Sequence, residues 1–201
     1  MAASARLAAM AALIVAAFPV IACGYHGNAA VGALNVAYPN ALWVRTAVWQ
    51  AQLEGLLARA DTTPPANPIA ERLALAQRYR EVSGQLTQLR DHLAAQRPQQ
   101  PTPTFAVLLM GPMMWSRFEQ QGDAMALQVH ADGPVSGDVV LLTDEPVLAA
   151  LATGRMRLAQ AIELGVVRIY GPQTAASTVS AAIETWRPTP IPAAATKRRT
   201  S

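Results

Sequence analysis

Residues 138–171 read DVVLLTDEPVLAALATGRMRLAQAIELGVVRIYG, and the order of strands and helices is clearest here. It opens on the apolar run VVLLT, which is typical of a buried strand, and Asp144 then offers an N-cap for a short helix. Gly154 and Gly165 each follow a short helical pattern and predict its end, because a left-handed residue there turns the chain out of the helix. The run VVRIY then predicts another strand. The stretch therefore predicts the order strand, helix, helix, strand.

Three more strands are expected before this stretch. FAVLLMG (105–111) is a continuous apolar run, typical of a buried strand, and MMWSRFE (113–119) predicts a second strand that ends at a turn. AMALQVHAD (124–132) alternates apolar and polar residues, as a half-buried strand does. A final helix is expected over 173–186. The sequence thus predicts an α+β fold, with a mostly antiparallel sheet of about five strands packed with short helices.

The motif within 138–171 resembles the sterol carrier protein family of non-specific lipid-transfer domains. Its parts are a leucine-rich helix ending at Gly154, a second helix carrying Ala161, then Gly165, and a strand ending at Gly171. The resemblance implies a sheet with helices packed over it, enclosing an apolar cavity for an acyl chain, a sterol or a quinone, and it implies no catalytic residues. The chain departs from the family in its longer helical segment before the domain and in its export signal.

The candidate ligand-binding residues are apolar and, in part, flexible. Methionine is unbranched and polarisable, which suits an adaptable apolar pocket. Five residues lie at the end of the first predicted strand and the start of the second, and four would form an opposite helical wall. The alternative is a solid core with no cavity. The nine candidates are Leu109, Met110, Met113, Met114, Trp115, Leu148, Leu151, Met156 and Ile162.

Two helices are expected before the domain. Asn40 offers an N-cap for the first, and the Pro-rich segment 61–68 ends it. The second runs from about Ile69 to Ala95. Because the turn between them is short, we expect an antiparallel hairpin, although the two helices could instead cover one face of the domain. The expected buried residues are Leu42, Trp49, Leu53, Leu56 and Ala60 on the first helix, and Leu75, Tyr79, Val82, Leu86, Leu89 and Leu93 on the second.

The N-terminus has the parts of an export signal. Arg6 supplies a positive charge, and the apolar run 7–22 that follows is shorter than the roughly 20 residues a spanning helix needs. Its end, VIAC (20–23), resembles a bacterial lipobox. The resemblance implies cleavage after Ala22 and lipidation of Cys23, with palmitate among the acyl chains, as a membrane anchor.

Cys23 is the only cysteine of the chain, so an intramolecular disulfide is not possible, and lipidation would give the unpaired thiol a role. Two alternatives stay open: an ordinary signal peptide cut after Ala30 or Ala33, and an uncleaved anchor. Gly24 is not the acidic residue of an inner-membrane retention signal. The expected location is therefore the periplasmic side of the outer membrane in the cell envelope, with a soluble periplasmic or secreted protein as the alternative.

The composition disfavours two classes of protein. With 52% apolar residues and a net charge of +3, the chain lacks the signature of disorder. Fifteen of the sixteen basic residues are arginines scattered along the chain, with no basic stripe and interleaved aromatics, so we expect no nucleic-acid partner. The length of 201 residues suits one domain with an appendage.

Motifs that carry chemistry are scarce. The histidines His26, His92 and His130 lie far apart in different kinds of segment, so we expect no metal site. The sequence contains neither a G-x-S-x-G elbow nor a phosphate-binding glycine loop. Asp144 and Glu145 are explained by helix capping and the helix dipole. We therefore expect no catalytic residue and no cofactor.

The expected function is non-enzymatic binding of a hydrophobic small molecule by an exported, lipid-anchored protein. The alternative is a structural or interaction accessory protein of an envelope complex, in which the hairpin contacts a protein partner or a second copy. The expected division of the chain is a signal peptide (1–22), a tether (23–39), the helical hairpin (40–96), a Pro-rich linker (97–104), the sterol-carrier-like domain (105–187) and a disordered tail (188–201).

Overall fold

The computed structural model describes residues 38–59, 64–96 and 101–186. The expected signal peptide, Cys23, most of the tether, half of the linker and the whole tail lie outside these residues. The elements in chain order are α1 (Ala41–Leu53), α2 (Pro68–Ala95), β1 (Phe105–Leu109), β2 (Met114–Gln121), β3 (Ala124–Val129), β4 (Val139–Thr143), α3 (Glu145–Ala152), α4 (Leu158–Glu163), β5 (Arg168–Tyr170) and α5 (Gln173–Glu184).

The five strands form one sheet in the order β3-β2-β1-β4-β5. The central pair, β1 with β4, is parallel, and the other three pairs are antiparallel. Since a parallel pair needs a crossover, the chain passes through β2 and β3 before it returns beside β1. The expected α+β fold with a mostly antiparallel five-stranded sheet is confirmed.

The two short helices after β4 end at the expected glycines. Gly154 follows α3 with φ +69°, and Gly165 follows α4 with φ +73°, both in the left-handed region that glycine enters without a steric cost. The amide of Gly154 donates to the Leu151 carbonyl at 3.0 Å, which closes the end of α3. The chain can therefore turn back to the sheet directly after each helix.

The core is continuous around β1. All five residues of β1 are fully buried, which means that both faces of the sheet are covered at its centre. On one face, the rings of Phe105 and Phe118 stack with centroids 4.5 Å apart and planes 3° from parallel. This stack joins β1 to β2, where Phe105 and Phe118 are register partners. The sheet is thus packed as a domain interior and not as an open surface.

The leucine seam of α2 belongs to this core. Asn67 caps the helix by accepting from the amides of Ile69 and Ala70, and Pro68 occupies the first turn. The expected seam is buried at its C-terminal end, and Leu75 and Tyr79 are half-buried. The helix packs against β3, α3 and α5. The fully covered seam residues are Val82, Leu86, Leu89 and Leu93.

The two helices before the sheet pack on the domain, an arrangement that the sequence leaves open beside the antiparallel hairpin. Within the described residues, α1 makes its main contacts with β4, whereas α2 makes its main contacts with β3, α3 and α5. Both described helices therefore pack against the sheet domain.

The buried face of α1 also differs from the expected one. The helix buries Ala41, Val44, Val48 and Ala51, whereas Leu42, Trp49, Leu53 and Leu56 are exposed and Ala60 lies outside the described residues. Small side chains on the inner face let the helix axis come close to the sheet. The large side chains are consequently left on the solvent side.

Candidate functional site

Six of the nine candidate ligand-binding residues are members of the buried core cluster, which extends over both faces of the sheet. Leu109 and Met114 are register partners at the ends of β1 and β2, and the amide of Met110 donates to the Thr143 carbonyl of β4 at 2.9 Å. The cluster is close-packed, because each of these side chains is almost fully covered. Its candidate members are Leu109, Met110, Met114, Leu148, Leu151 and Met156.

The other three candidates are placed differently. Met113 and Trp115 are half-buried and pack against the cluster from its edge. Because alternate residues of a strand face opposite sides, Trp115 lies on the sheet face away from Met114. Ile162 is exposed on α4 and is not brought to the cluster. The structure thus buries six candidates in the core, places two at its border and leaves Ile162 exposed on α4.

Met113 adopts a conformation that non-glycine residues rarely enter. Its φ of +54° lies in the left-handed region, in the turn that joins β1 to β2. Such a backbone costs of order 1 kcal/mol, and it persists only where the surroundings hold it. The surrounding contacts therefore hold Met113 in this turn, at the edge of the buried core.

Asp144 holds this turn to α3. Its Oδ1 accepts hydrogen bonds from the amide of Gly111 and from the amide of Glu145, both at 2.8 Å. The carboxyl ends of the parallel strands β1 and β4 meet here, so one carboxyl group reaches both the turn and the helix N-terminus. Burial raises the pKa of Asp144, while the two amide donors and the charge of Arg45 act in the opposite direction. The expected capping role of Asp144 is confirmed.

A surface cleft of about 170 Å³ lies beside the first turn of α3. Arg78 of α2 forms an ion pair with Glu145 across it. The Gln85 side-chain oxygen is buried without a hydrogen-bond partner among the described residues. The cleft contains none of the nine candidate residues. Its walls are Gln52, Ala58, Arg59, Arg78, Glu81, Val82, Gln85, Glu145, Pro146 and Ala149.

Sequence reasoning missed this cleft for a simple reason. Arg78 and Glu145 are distant in sequence, and neither lies in a motif that marks a polar site. Arg78 could have been identified from its position on α2. It directly precedes Tyr79 of the leucine seam, and this places Arg78 at the border of the buried face. No comparable signal marks the residues after α1.

An aromatic cluster fixes the start of α1 on the other sheet face. Tyr38 makes edge-to-face ring contacts with Trp115 at 5.7 Å and with Tyr170 at 5.5 Å. The Tyr170 hydroxyl donates to the Pro39 carbonyl at 2.7 Å and accepts from the side-chain amide of Asn40 at 2.9 Å. Burial raises the pKa of Tyr38. These contacts dock α1 on the face of Trp115, beyond the buried methionines.

Two further observations bear on the kind of site. In residues 38–59, 64–96 and 101–186, we find no group of three or more His, Cys, Asp or Glu side chains placed to hold a metal ion. The described part of the chain also contains no helix long and apolar enough to cross a membrane.

The chain was compared with known proteins. No model of a known protein family matches it, and no curated protein matches its sequence. Among solved structures, the UbiJ-SCP2 ubiquinone synthesis protein is similar at 15% identity, with 71% of this chain and 95% of that chain covered and a TM-score of 0.33. A conserved hypothetical protein from Thermus thermophilus, described as a candidate sterol carrier protein, is similar at 13% identity, with 56% and 85% covered and a TM-score of 0.30.

A third solved structure is a stereoselective inverting sec-alkylsulfatase from Pseudomonas sp.. The identity is 14%, the covered share is 51% of this chain and 15% of that chain, and the TM-score is 0.35. The chain therefore spans about 15% of the length of that alkylsulfatase. The TM-scores are too low for any of the three structures to carry an argument about this chain.

Proposed function

We propose that this chain is an exported, lipid-anchored protein that binds a hydrophobic small molecule between its sheet and its short helices. The observation that supports this function is that Met110, Met114 and Met156 are buried in the core of the domain, with Met113 packed against that core. Thioether side chains change rotamer at low cost, so the cluster can open around an apolar ligand. Burial of the ligand would then contribute about 25 cal/mol per Å².

The ligand class follows from the sequence resemblance and from the chemistry of the cluster. An acyl chain, a sterol-like molecule or a quinone would satisfy an apolar wall of Leu and Met side chains. The cleft beside α3 carries two acidic and two basic side chains and does not fit such a ligand. We therefore assign the binding role to the buried cluster and its edge at Met113.

Met113→Lys should weaken binding of a fluorescent fatty acid by at least about tenfold, because it places a charge at the edge of an apolar pocket. The control is Val135→Lys, an exposed apolar residue on the loop before β4, which should leave binding unchanged. Native mass spectrometry of the full chain purified from cells should also show a bound hydrophobic mass. A chain that is always empty, and that does not bind the fatty acid, would contradict the proposal.

The second candidate function is an interaction accessory protein of an envelope complex. Two observations favour it: six of the nine candidate residues are buried in the core, and α1 presents large apolar side chains to solvent. In that case the Met113→Lys and Val135→Lys proteins would be equally unable to bind the fatty acid. Recovery of a defined partner with the wild-type chain, and its loss with an altered α1 surface, would then identify the role.

Cys23→Ser should abolish palmitate incorporation and change the conditions that release the protein from the membrane fraction. A lipid-anchored chain needs detergent for release, because two or more acyl chains bury many CH₂ groups at about 0.8 kcal/mol each. The Cys23→Ser protein should instead be extracted by carbonate at high pH. Membrane fractionation and palmitate labelling in cells measure both effects. A wild-type chain that incorporates no palmitate would reject the anchor.

A further inference from the structure

Five large apolar side chains on and just after α1 face solvent. Trp43 and Trp49 are 73% and 60% exposed, and the three leucines are between 46% and 62% exposed. Leu42, Trp49 and Leu53 are spaced seven and four residues apart and form one stripe, with Trp43 beside it. We call this surface the α1 outer face; it consists of Leu42, Trp43, Trp49, Leu53 and Leu56.

We propose that the α1 outer face inserts into the interface of a lipid bilayer. The inner face of the same helix is docked on β4, so α1 can only lie flat on a membrane. Its 13 residues are about 20 Å long, a length that suits an interfacial helix and not a spanning one. Tryptophan and leucine together are typical of helices that enter a membrane by about 5–10 Å.

The charges of α1 fit an anionic lipid surface. Arg45 is the only charged residue in Ala41–Leu53, and it is exposed. Arg59, just after the helix, donates to the carbonyls of Gln52 and Leu53 and so holds a second cation near its C-terminal end. Of the acidic residues nearby, Glu54 accepts a hydrogen bond from Gln50, and Glu81 and Glu145 line the cleft with Arg59. Asp144 is close enough to Arg45 for that charge to act on its pKa. Ala41–Leu53 itself contains no acidic side chain, so the helix presents a net positive charge to a headgroup phosphate.

The size of the patch argues against a second copy of the chain as its occupant. At these exposed fractions, two tryptophans and three leucines present roughly 600 Å², at the upper end of what a monomer exposes. A standard interface buries about 800 Å² on each partner. The patch alone is too small for a stable dimer, and it is large enough for shallow insertion into lipid.

The position of α1 in the chain also favours a lipid bilayer as the partner of the α1 outer face. This step alone rests on the lipid anchor proposed above. Cys23 lies fifteen residues before Tyr38, which directly precedes α1. Fifteen residues span at most about 50 Å in any conformation. A lipid on Cys23 would therefore keep α1 within reach of the membrane that holds it.

The test uses the full chain with Cys23→Ser, so that no acyl anchor contributes. Vesicles contain phosphatidylglycerol and phosphatidylcholine in equal parts, with bromine on the acyl chains as a quencher of tryptophan. The chain has four tryptophans, and none lies in the apolar segment 1–22, so tryptophan quenching reports on the part of the chain after that segment. We expect Trp43 and Trp49 emission to shift to shorter wavelength and to be quenched.

Leu42→Ser with Leu53→Ser keeps both tryptophan reporters and should weaken vesicle binding by at least about tenfold. The matched control is Leu73→Ser with Val135→Ser, which removes side chains 64% and 57% exposed outside α1 and should leave binding unchanged. Arg45→Ala should weaken binding to the mixed vesicles about fivefold and leave binding to pure phosphatidylcholine vesicles unchanged.

Three results would overturn the inference. The first is tryptophan emission that vesicles neither shift nor quench. The second is equal binding by the α1 double variant and its matched control. The third is a dimer in light scattering whose tryptophans are shielded without lipid, which would make a second copy the occupant. If palmitate labels the wild-type chain and Trp43 and Trp49 are not quenched, this inference fails while the proposed anchor stands.

Discussion

Leu86→Asp should unfold the domain as a whole. Leu86 is fully buried on α2, within the cluster that contains the residues of β1. Loss of a buried leucine costs about 2–5 kcal/mol, and an unpaired buried carboxylate adds several kcal/mol more. Since domains of this size are stable by about 5–15 kcal/mol, one substitution can remove most of that free energy of unfolding.

The control lies on the same helix. Leu73 is exposed on the first turns of α2, so Leu73→Asp should change the free energy of unfolding by less than about 0.5 kcal/mol. Urea denaturation followed by circular dichroism and by tryptophan emission measures both variants. If 40–96 were a separate hairpin, Leu86→Asp would leave the transition of the sheet intact. That result would contradict the packing of α2 against β3, α3 and α5.

The strands and the short helices could be predicted from local sequence. Each strand is a short apolar or alternating run between turn residues, and each short helix ends at a glycine that the structure finds in the left-handed region. Local steric and hydrogen-bonding rules decide such features. The sheet order could not be derived in the same way, because it depends on which runs pair at a distance.

Hydrophobic periodicity alone does not predict which face of α1 is buried. The helix has large apolar residues at Leu42, Trp43 and Trp49 and smaller ones at Val44 and Val48, so two faces are apolar. Hydrophobic patterning favours burial of the larger face. Close approach to the sheet favours the smaller one, and the structure buries the smaller one. The sequence favours burial of the two apolar faces of α1 almost equally. Packing against the sheet therefore determines which face is buried.

The candidate binding residues were chosen by type and adjacency, and the structure buries six of the nine. Residues of β1, the turn and β2 come together because they are neighbours in the chain and in register. Ile162 does not join them, because α4 turns that side chain to solvent. The Arg78–Glu145 pair could not be predicted, since it depends on how α2 crosses the first turn of α3.

Asp144→Ala and Asp144→Asn should affect stability in different ways. Alanine removes the cap of α3 and leaves the Gly111 amide, which is partly buried, without its acceptor. Together these losses should cost about 2–3 kcal/mol in the free energy of unfolding. Asparagine keeps an oxygen at the same position, so both hydrogen bonds can persist. It also removes the charge that burial disfavours, and Asp144→Asn should be at least as stable as wild type at neutral pH.

The pH dependence of the free energy of unfolding tests the direction of the Asp144 pKa shift. Burial raises the pKa of Asp144 above its unfolded value of about 3.9. A raised pKa in the folded state means that the carboxyl group contributes stability below pH 4 or so, and that this contribution is lost as the pH rises through the folded pKa. Asp144→Asn does not titrate, so its stability relative to wild type should increase over that interval and then stay constant.

Urea denaturation of wild type, Asp144→Asn and Asp144→Ala at a series of pH values above 3 tests this expectation. Carboxyl groups remote from Asp144 titrate equally in all three proteins, so the difference between wild type and Asp144→Asn reports on Asp144 together with the adjacent Glu145, whose charge also raises the pKa of Asp144. A difference that is independent of pH would show that Asp144 is not held in a desolvated site. A difference of the opposite sign would mean that the two amide donors and Arg45 outweigh burial, because those groups favour the charged form. In that case the turn at Gly111 would be stabilised by the charge of Asp144, and acidification would loosen the edge of the methionine cluster.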